Sequence, residues 1–332
     1  MDPLTHTATG LFLSRAGMNR WTPLATPILL LAANAPDIDI VSAAGGSLSY
    51  LNYHRHLTHS LVGMPVLALL TVAVVRVAGR KPVRWLWAFA AALIAVASHL
   101  LLDLTNVYGV RLLLPFSSEW LHWDLTGVID LWIWGALLLG IAAPFIGRLV
   151  GSEITSSAVR PQSYGRGWAW FALAFLLLYN GARGALHARA AAELNARIYQ
   201  GAEPLRVLAA PTAASPWRWR GIVETRDFYA LEDFSLGGEF DPADAAIFHK
   251  PDPTPAMDAA RQTTVFRDFL RFSLYPLWTV SPAPEMEGAQ QVEVEDLRFG
   301  SPQAPAFVAT AVVDSRGKVV EASFSYGRLR PR

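Results

Sequence analysis

Long apolar runs dominate the first half of the chain. Four of them have the roughly 20 residues that a helix needs to cross a bilayer, and they cover Leu57 to Ala78, Trp85 to Asp103, Val128 to Val150 and Trp168 to Leu186. Two shorter apolar runs of about 15 residues precede them, Leu4 to Met18 and Trp21 to Ala35. The pattern predicts a mainly α membrane protein, a polytopic helical bundle with about six membrane-embedded segments.

The pattern changes after Pro211, where polar and apolar residues begin to alternate as in β-strands. Alternating stretches occur at Trp217 to Glu224, Val292 to Glu295 and Phe307 to Val313, and a turn at Asp314 to Gly317 predicts a hairpin with Val319 to Phe324. Residues 263–274 have helical spacing of their apolar positions. We therefore predict a membrane-embedded domain over residues 1–190 and a small extramembrane α+β domain over residues 191–332.

Composition and charge narrow the function. The chain is 52% hydrophobic and only 17% charged, which excludes an ordinary soluble protein. A net charge of +1 with scattered basic residues argues against nucleic acid as a partner. The absence of cysteine excludes disulfides, thiolate ligands and a cysteine nucleophile.

Basic residues predict the orientation of the bundle. With six segments, one side of the membrane receives nine of them in its loops: Arg15, Arg20, Arg76, Arg80, Lys81, Arg84, Arg148, Arg160 and Arg166. The short loops of the other side receive only Arg55 and Arg111. By the positive-inside rule the first side is cytoplasmic. The polar segments and the C-terminal domain are then extracytoplasmic, in a bacterial inner or cytoplasmic membrane.

Three of the 8 histidines fall within six residues, at the start of the apolar run from Leu57. His54 and His59 stand on opposite sides of Thr58, a residue type that caps helices, so an ordered loop can turn both imidazoles to one point. Taken alone, this stretch is equally typical of interfacial histidines. His56 points away from its neighbours in an extended loop, and we predict that it is dispensable.

Further pairs of metal-capable residues occur at short spacings. Asp2 and His6, and likewise His99 and Asp103, are four residues apart and share one helix face. Asp37 and Asp39 follow Pro36, and in an extended turn both carboxylates point the same way. Alone, these pairs can be, in that order, a negatively charged first helical turn with a surface histidine, a buried hydrogen-bonded pair and an interfacial turn.

The predicted topology brings all of these segments to one face, although no ligand was used to derive it. Imidazole and carboxylate ligands suit Zn, with Mn or Fe as alternatives, and their number allows one or two ions. The predicted metal ligands are Asp2, His6, Asp37, Asp39, His54, His59, His99 and Asp103. Such a site favours hydrolysis by metal-activated water.

Four further residues are candidates for catalysis or for binding an anion. Asp124 and Asp130, with His122 nearby, precede or begin the fifth apolar run, and either carboxylate is placed to act as general base or as a further metal ligand, with a helix cap as the alternative for Asp124. Arg55, and Arg111 in the following outer loop, are candidates for holding a phosphate or other anion. Contact with lipid headgroups is the alternative for both arginines.

The ordered motifs resemble one family. They are the run Met1 to His6, Pro36 to Asp39, His54 to Ser60, His99 with Asp103, and Tyr108-Gly109 leading to Leu114-Pro115-Phe116. Over residues 1–150 the chain resembles the inner-membrane-associated, metal-dependent hydrolase family that is also described as LexA-binding. The resemblance implies a membrane-embedded hydrolase with metal bound by His6, Asp37, His54, His59, His99 and Asp103. The chain departs from the family at Asp130-Leu131, where Asp-Pro is common.

The favoured function is therefore a membrane-bound, metal-dependent hydrolase of a lipid-linked or membrane-proximal ester, with a phosphoester as one form. The partner is then a membrane lipid or lipid-linked substrate, and the C-terminal domain is available for a protein partner. The rivals are a transporter and a non-enzymatic scaffold or regulator with a structural metal. A transporter predicts polar residues through the spans, and the cytoplasmic halves are instead nearly all apolar.

Overall fold

The computed structural model describes residues 1–154, 165–284 and 286–327. The chain forms two compact units, each made of three pieces. The first, which we call the helical unit, comprises Met1–Asp39, Arg55–Ala188 and Pro211–Pro216. The second, the sheet unit, comprises Ile40–His54, Arg189–Ala210 and Trp217–Arg332. In sequence, the segment Ile40–His54 of the sheet unit therefore interrupts the helical unit. The segment Pro211–Pro216 of the helical unit likewise interrupts the sheet unit.

The described residues contain nine α-helices, most of them in the first two hundred residues. They are α1 Pro3–Ala16, α2 Ala25–Ala32, α3 Ser47–Tyr53, α4 Gly63–Gly79, α5 Trp85–Leu104, α6 Leu131–Ile154, α7 Arg166–Asn195, α8 Pro255–Arg261 and α9 Thr264–Phe272. Two 3-10 helices, Ala35–Gly45 and Leu57–His59, lie between α2 and α4.

The number of membrane spans is smaller than the sequence pattern predicts. Within the described residues, α5 and α7 are long and apolar enough to cross a bilayer, and the number rises to four only if two bent helix pairs each count as one span. The expected six are not confirmed. The two N-terminal runs become α1, with 14 residues, and α2, with 8, and helices of that length fall short of about 30 Å at about 1.5 Å per residue. Arg160, part of the orientation argument, lies outside the described residues.

Small residues bring the helices of the helical unit close together. α5 turns a fully buried face of four alanines toward its neighbours, Ala88, Ala91, Ala92 and Ala95, and packs against α2 and α4. Small side chains allow such helix axes to approach closely. At the α1–α2 crossing a Cβ on Gly10 would lie 2.8 Å from the Leu29 carbonyl oxygen, so only glycine permits this contact. The packing fixes the end of α2 beside α5.

Two four-stranded sheets form most of the sheet unit. The strands are β1 Arg206–Pro211, β2 Arg218–Glu224, β3 Phe228–Ser235, β4 Ala246–His249, β5 Pro276–Pro282, β6 Gln290–Asp296, β7 Gly300–Ser301, β8 Ala304–Pro305, β9 Val308–Val313 and β10 Val319–Ser325. One sheet has the order β1-β2-β3-β4, the other β10-β9-β6-β5, and β7 pairs with β8. The predicted hairpin is confirmed, since β9 and β10 pair antiparallel with Val313 opposite Val319.

Helices α3, α8 and α9 belong to the same unit. α9 confirms the helix predicted over residues 263–274, and Thr263 caps it by accepting a hydrogen bond from the Phe266 N–H. α3 comes from the early segment of the chain and packs against α9 and β10. The Asn52 side chain donates to Asp268 at 2.8 Å. The sheet unit therefore includes residues from the first sixth of the sequence.

A buried ion pair stabilises this unit. Arg298 donates to both carboxylate oxygens of Asp296, at 2.7–3.2 Å, and both side chains are fully buried. The guanidinium also donates to the Phe272 carbonyl at 2.8 Å and lies over the Phe272 and Phe299 rings, 4.9 and 4.8 Å from their centroids. These contacts compensate the desolvation of both charges.

We expect Arg298→Ala to lower the free energy of unfolding by about 3–5 kcal/mol, because the Asp296 carboxylate would remain buried without its partner. Chemical unfolding of the full chain in detergent micelles measures this. Arg261→Ala is the control, since its pair with Asp258 is exposed, and we expect a loss below about 1 kcal/mol. Equal losses in the two variants would contradict the assignment.

Candidate metal site

Among the described residues, one group of histidine and acidic side chains has the spacing of a metal site. It consists of Asp37, His59, His99 and Asp103, whose ligand atoms all lie within 4.8 Å of one another. Asp37 comes from the 3-10 helix after α2, His59 ends the 3-10 helix before α4, and the other two lie in the last two turns of α5. We refer to these residues as the group of four.

The distances within this group fit a tetrahedral ion. His59 Nε2 lies 3.2 Å from His99 Nε2, and both nitrogens lie 3.5 Å from Asp37 Oδ1 and 3.4 Å from Asp103 Oδ2. Ligand bonds of about 2.0–2.2 Å in tetrahedral geometry separate the ligand atoms by about 3.3–3.6 Å. Five of the six ligand-atom separations in the group therefore have the values that a zinc-sized cation requires.

The hydrogen bonds of the two imidazoles direct both Nε2 atoms into the group, where a cation is favoured. His99 Nδ1 lies 2.8 Å from the Ala33 carbonyl oxygen, which can only accept, so Nδ1 carries the hydrogen. His59 Nδ1 lies 3.1 Å from Asp39 Oδ2, which fixes the same tautomer. Both Nε2 atoms then present lone pairs to each other and to two carboxylates. Four electron-pair donors without a hydrogen between them repel unless a cation lies among them.

Three members of the group are fully buried and one is partly exposed. His59, His99 and Asp103 are fully buried, whereas the Asp37 side chain retains 24% of its exposure. Asp37 thus marks the side from which an ion or a small molecule reaches the group.

Asp39 orients a ligand rather than joining the group. Its Oδ2 accepts from the Arg55 backbone N–H at 2.8 Å and from the Thr58 hydroxyl at 2.9 Å, in addition to its contact with His59. This is the arrangement in which a carboxylate holds a metal-binding histidine in one orientation. Thr58, predicted as a helix cap, serves Asp39 instead.

Arg55 is buried and contacts Asp103. Its guanidinium donates to Asp103 Oδ1 at 3.1 Å, to Asn106 Oδ1 at 3.2 Å and to the Gly109 carbonyl at 2.9 Å, and lies 4.8 Å from the Tyr108 ring centroid. The guanidinium N–H groups of Arg55, which were expected to bind an anion, therefore donate to acceptors of the protein instead. The contact leaves Asp103 Oδ2 directed to the group of four.

Arg111, the second predicted anion contact, lies in the loop after α5. Its guanidinium is 4.7 Å from the Trp120 ring centroid. Burial lowers the pKa of Arg111 from its usual value, although Tyr108 and Asp39 act in the opposite direction.

His6 lies next to the group. Its ring stacks on His99 with centroids 3.7 Å apart, and its Nε2 is 3.4 Å from Asp103 Oδ1. The side chain is fully buried, and neither ring nitrogen has a hydrogen-bond partner among the described residues. The Met1 amine contacts the same carboxylate oxygen. His6 is thus a predicted ligand that contacts two members of the group of four, His99 and Asp103, without belonging to it.

Asp2 and His54 are not brought into the group. Asp2 caps α1, accepting from the Leu4 and Thr5 backbone N–H groups, from the Thr5 hydroxyl at 2.6 Å and from the Trp134 indole at 3.0 Å. His54 belongs to the sheet unit, where its ring stacks on Tyr50 with centroids 4.6 Å apart. The backbone turns at Arg55, which has a left-handed φ of 55°, so the side chain after His54 reaches Asp103.

Asp130 and Asp124 have other partners. Asp130 accepts from two backbone N–H groups in the first turn of α6 and from the Tyr179 hydroxyl at 3.1 Å. Asp124 lies 2.7 Å from His122 Nδ1 and has a left-handed φ of 57°. None of these partners belongs to the group of four. Their role as general base stays a prediction.

Sequence reasoning missed Asn106 and the Ala33 carbonyl. Asn106 is fully buried, and its Oδ1 accepts from Arg55 and from the Tyr108 N–H at 2.9 Å. The sequence signal that could have identified Asn106 is its position three residues after Asp103 and three residues before Gly109. A backbone carbonyl such as that of Ala33 leaves no signal in the sequence, since every residue has one.

Because Asp39 fixes the His59 tautomer, we expect Asp39→Asn to weaken metal binding by about 10- to 100-fold. Competition with a chelator, using the purified protein, measures the dissociation constant. The exposed Asp252 provides the control variant, Asp252→Asn, which should bind as the unmodified chain does. Unchanged affinity in Asp39→Asn would show that the carboxylate does not orient His59.

Comparisons with known proteins agree with this picture. Residues 1–190, which contain the whole group of four, match the family described as YdjM inner membrane protein. Residues 255–327, in the sheet unit, match the YfhP C-terminal alpha/beta plait domain. A curated relative from Bacillus subtilis (strain 168), the uncharacterized protein YfhP, is 26% identical over 323 residues, which cover 93% of this chain and 90% of the relative. No solved structure matches.

The family match covers more than half of the chain and includes apolar helices that can cross a bilayer. It confirms the resemblance inferred from the motifs of the first 150 residues. This chain is an integral membrane protein with a buried His/Asp group able to hold a metal, and it belongs to the YdjM inner membrane protein family.

Proposed function

We propose that this protein is a membrane-bound, metal-dependent hydrolase that acts on a lipid-linked or membrane-proximal ester, with a phosphoester as the leading case. The observation that carries the proposal is the spacing of the group of four, in which five ligand-atom separations lie between 3.2 and 3.5 Å. The exposure of Asp37 supports access for a substrate.

His59, His99, Asp37 and Asp103 would hold the ion. Two imidazoles and two carboxylates suit Zn, and Mn or Fe is compatible with the same donors. When bound, such an ion lowers the pKa of a water molecule and polarises an ester. The proposal takes one ion, because the Arg55 guanidinium next to Asp103 Oδ1 disfavours a second cation at that oxygen.

The remaining residues keep the ligands in place. Asp39 and the Ala33 carbonyl hold the two imidazoles with Nε2 toward the ion, and Arg55 holds Asp103 through its other oxygen. Asp124 or Asp130 is retained as the proposed general base. The extracytoplasmic position of the site and the C-terminal domain also belongs to the proposal.

The position of the ligands along α5 supports a lipid-linked substrate. α5 has 20 residues, which span about 30 Å, the thickness of the hydrocarbon core. His99 and Asp103 lie within roughly 8 Å of its end at about 1.5 Å per residue. That depth corresponds to the headgroup boundary, where the ester bonds of lipids lie.

One observation favours a second candidate, a regulator or scaffold with a structural metal. Four protein ligands complete a tetrahedron, which is typical of structural zinc sites, whereas catalytic sites keep one position open. A transporter has less support. The buried residues of α5 before His99 are Ala88, Ala91, Ala92, Ala95 and Val96, all apolar.

We expect His59→Ala and Asp103→Ala to lose bound metal, because each removes a ligand from the group of four. His56→Ala is the control, and it should retain the metal content of the unmodified protein. Elemental analysis of the three purified variants measures the metal directly. Full occupancy in both ligand variants would refute the site.

The purified protein in phospholipid vesicles with Zn or Mn should release phosphate from phosphatidic acid. Asp37→Asn should reduce the rate at least about 100-fold, because a ligand of the ion that activates water is lost. Asp227→Asn, at an exposed position, is the matched control. A metal-loaded protein that hydrolyses no ester probe would instead favour the structural-metal candidate.

A further inference from the structure

Exposed apolar side chains flank the ligands along the chain. In residues 36–39, 56–62 and 112–116, every exposed residue is apolar: Ile38, Leu57, Leu61, Val62, Leu113, Pro115 and Phe116. We call these residues the apolar rim. The first two segments carry Asp37 and His59, and the third is joined to the second by a 2.9 Å hydrogen bond from the Leu61 N–H to the Leu112 carbonyl.

The rim continues an exposed apolar stripe on α4. The exposed apolar residues of α4 follow Val62 at helical spacing, at Val66, Leu69, Leu70, Val74 and Val77. Residues three and four apart lie on one face of a helix, so these side chains form a single stripe. In a membrane protein such a stripe contacts hydrocarbon. This apolar stripe therefore extends along the chain to within three residues of His59.

An entrance used by a water-soluble substrate would have a different composition. Exposing large apolar side chains to water costs about 25 cal/mol per Å² of apolar surface, and polar groups normally surround a site that opens to water. Phe116 alone retains 87% of its exposure. In the three rim segments the polar side chains of Asp37, His56 and Thr58 are only partly exposed, and the fully exposed side chains are apolar.

We propose that the apolar rim lies in the bilayer and that the substrate reaches the group of four sideways from the membrane. This inference rests on the proposed hydrolase function and specifies its substrate class. The substrate is an amphiphile whose acyl or polyprenyl chain stays in the hydrocarbon layer, with the ester or phosphoester bond at the headgroup boundary. A free, water-soluble ester is then a poor substrate.

The reaction retains one product in the membrane. Hydrolysis of a lipid phosphomonoester breaks the bond between phosphorus and the lipid oxygen. The hydroxyl of water goes to phosphorus, and its proton goes to the departing oxygen. Inorganic phosphate leaves to water, whereas the lipid alcohol, still held by its chain, diffuses back along the rim.

The position of the rim can be measured without any activity. The chain has no cysteine, so Val62→Cys and Phe116→Cys each provide a unique site for a nitroxide label in the full-length protein in phosphatidylcholine–phosphatidylglycerol vesicles. Val77→Cys, on the α4 stripe, is the lipid reference, and Val320→Cys, exposed on β10, is the water reference. Collision rates with oxygen and with a water-soluble nickel complex distinguish the two environments.

We expect the oxygen-to-nickel ratio at both rim positions to match that of Val77 and to exceed that of Val320 by at least about threefold, since oxygen concentrates in apolar surroundings. Rim labels that match Val320 would overturn the proposal. If one rim label matches Val77 and the other matches Val320, the proposal holds only for the segment whose label matches Val77. It is then overturned for the other segment.

An activity comparison separates this inference from the function beneath it. Phosphatidic acid in the same vesicles and glycerol phosphate in solution offer the same phosphomonoester with and without chains. We expect the membrane substrate to be preferred by at least about 100-fold, and Val62→Ser with Phe116→Ser to reduce that preference about tenfold, whereas Val77→Ser leaves it unchanged. Equal use of both substrates would overturn lateral access. Hydrolysis of neither would contradict the proposed function, while the label ratios still report where the rim lies.

Discussion

Two imidazole nitrogens and two carboxylate oxygens face one another at the end of α5, and the hydrogen bonds of both imidazoles direct their Nε2 lone pairs toward the carboxylates. His99 gives its hydrogen to the Ala33 carbonyl and His59 gives its own to Asp39. The side chains that remain are electron-pair donors in a mostly buried place, where unpaired negative charge is costly. A cation removes this conflict, and the surrounding structure is arranged around its ligands.

Much of the helical unit serves to keep these donors in place. Gly10 and the alanine face of α5 allow α1, α2 and α5 to approach closely, so that the Ala33 carbonyl at the end of α2 meets His99. Arg55, with Asn106 and the Gly109 carbonyl, fixes Asp103 from the side opposite the group of four. Small residues and one buried cation thus set the distances on which metal binding depends.

The chain path joins the site to both units. Asp39 and Arg55 contact each other beside His59, and residues between them, Ile40–His54, belong to the sheet unit. There α3 packs against α9 and β10, within the stretch that matches the alpha/beta plait domain. Asp39 and Arg55, which position ligands, are therefore bonded directly to the two ends of a segment that packs in the sheet unit.

The sequence by itself determined the elements with a strong local period. Helix α5 with His99 and Asp103 on one face, helix α9 and the β9–β10 hairpin all follow from spacing alone, because local periodicity decides which side chains share a face. The same patterns identified every member of the group of four and the membrane family. They did not distinguish helices that span the bilayer from α1, which is too short, or from α2, which is long enough only if it and the following 3-10 helix count as one span.

Only the tertiary structure decided which candidates converge. Asp2 and His54 are as metal-capable by residue type as Asp37 and His59. However, Asp2 is satisfied by the first turn of α1, and the left-handed turn at Arg55 gives the arginine, not His54, the position beside Asp103. Asp39 orients a ligand because its Oδ2 contacts the His59 ring and the Thr58 hydroxyl. Such outcomes depend on single backbone angles and long-range packing, which residue spacing does not encode.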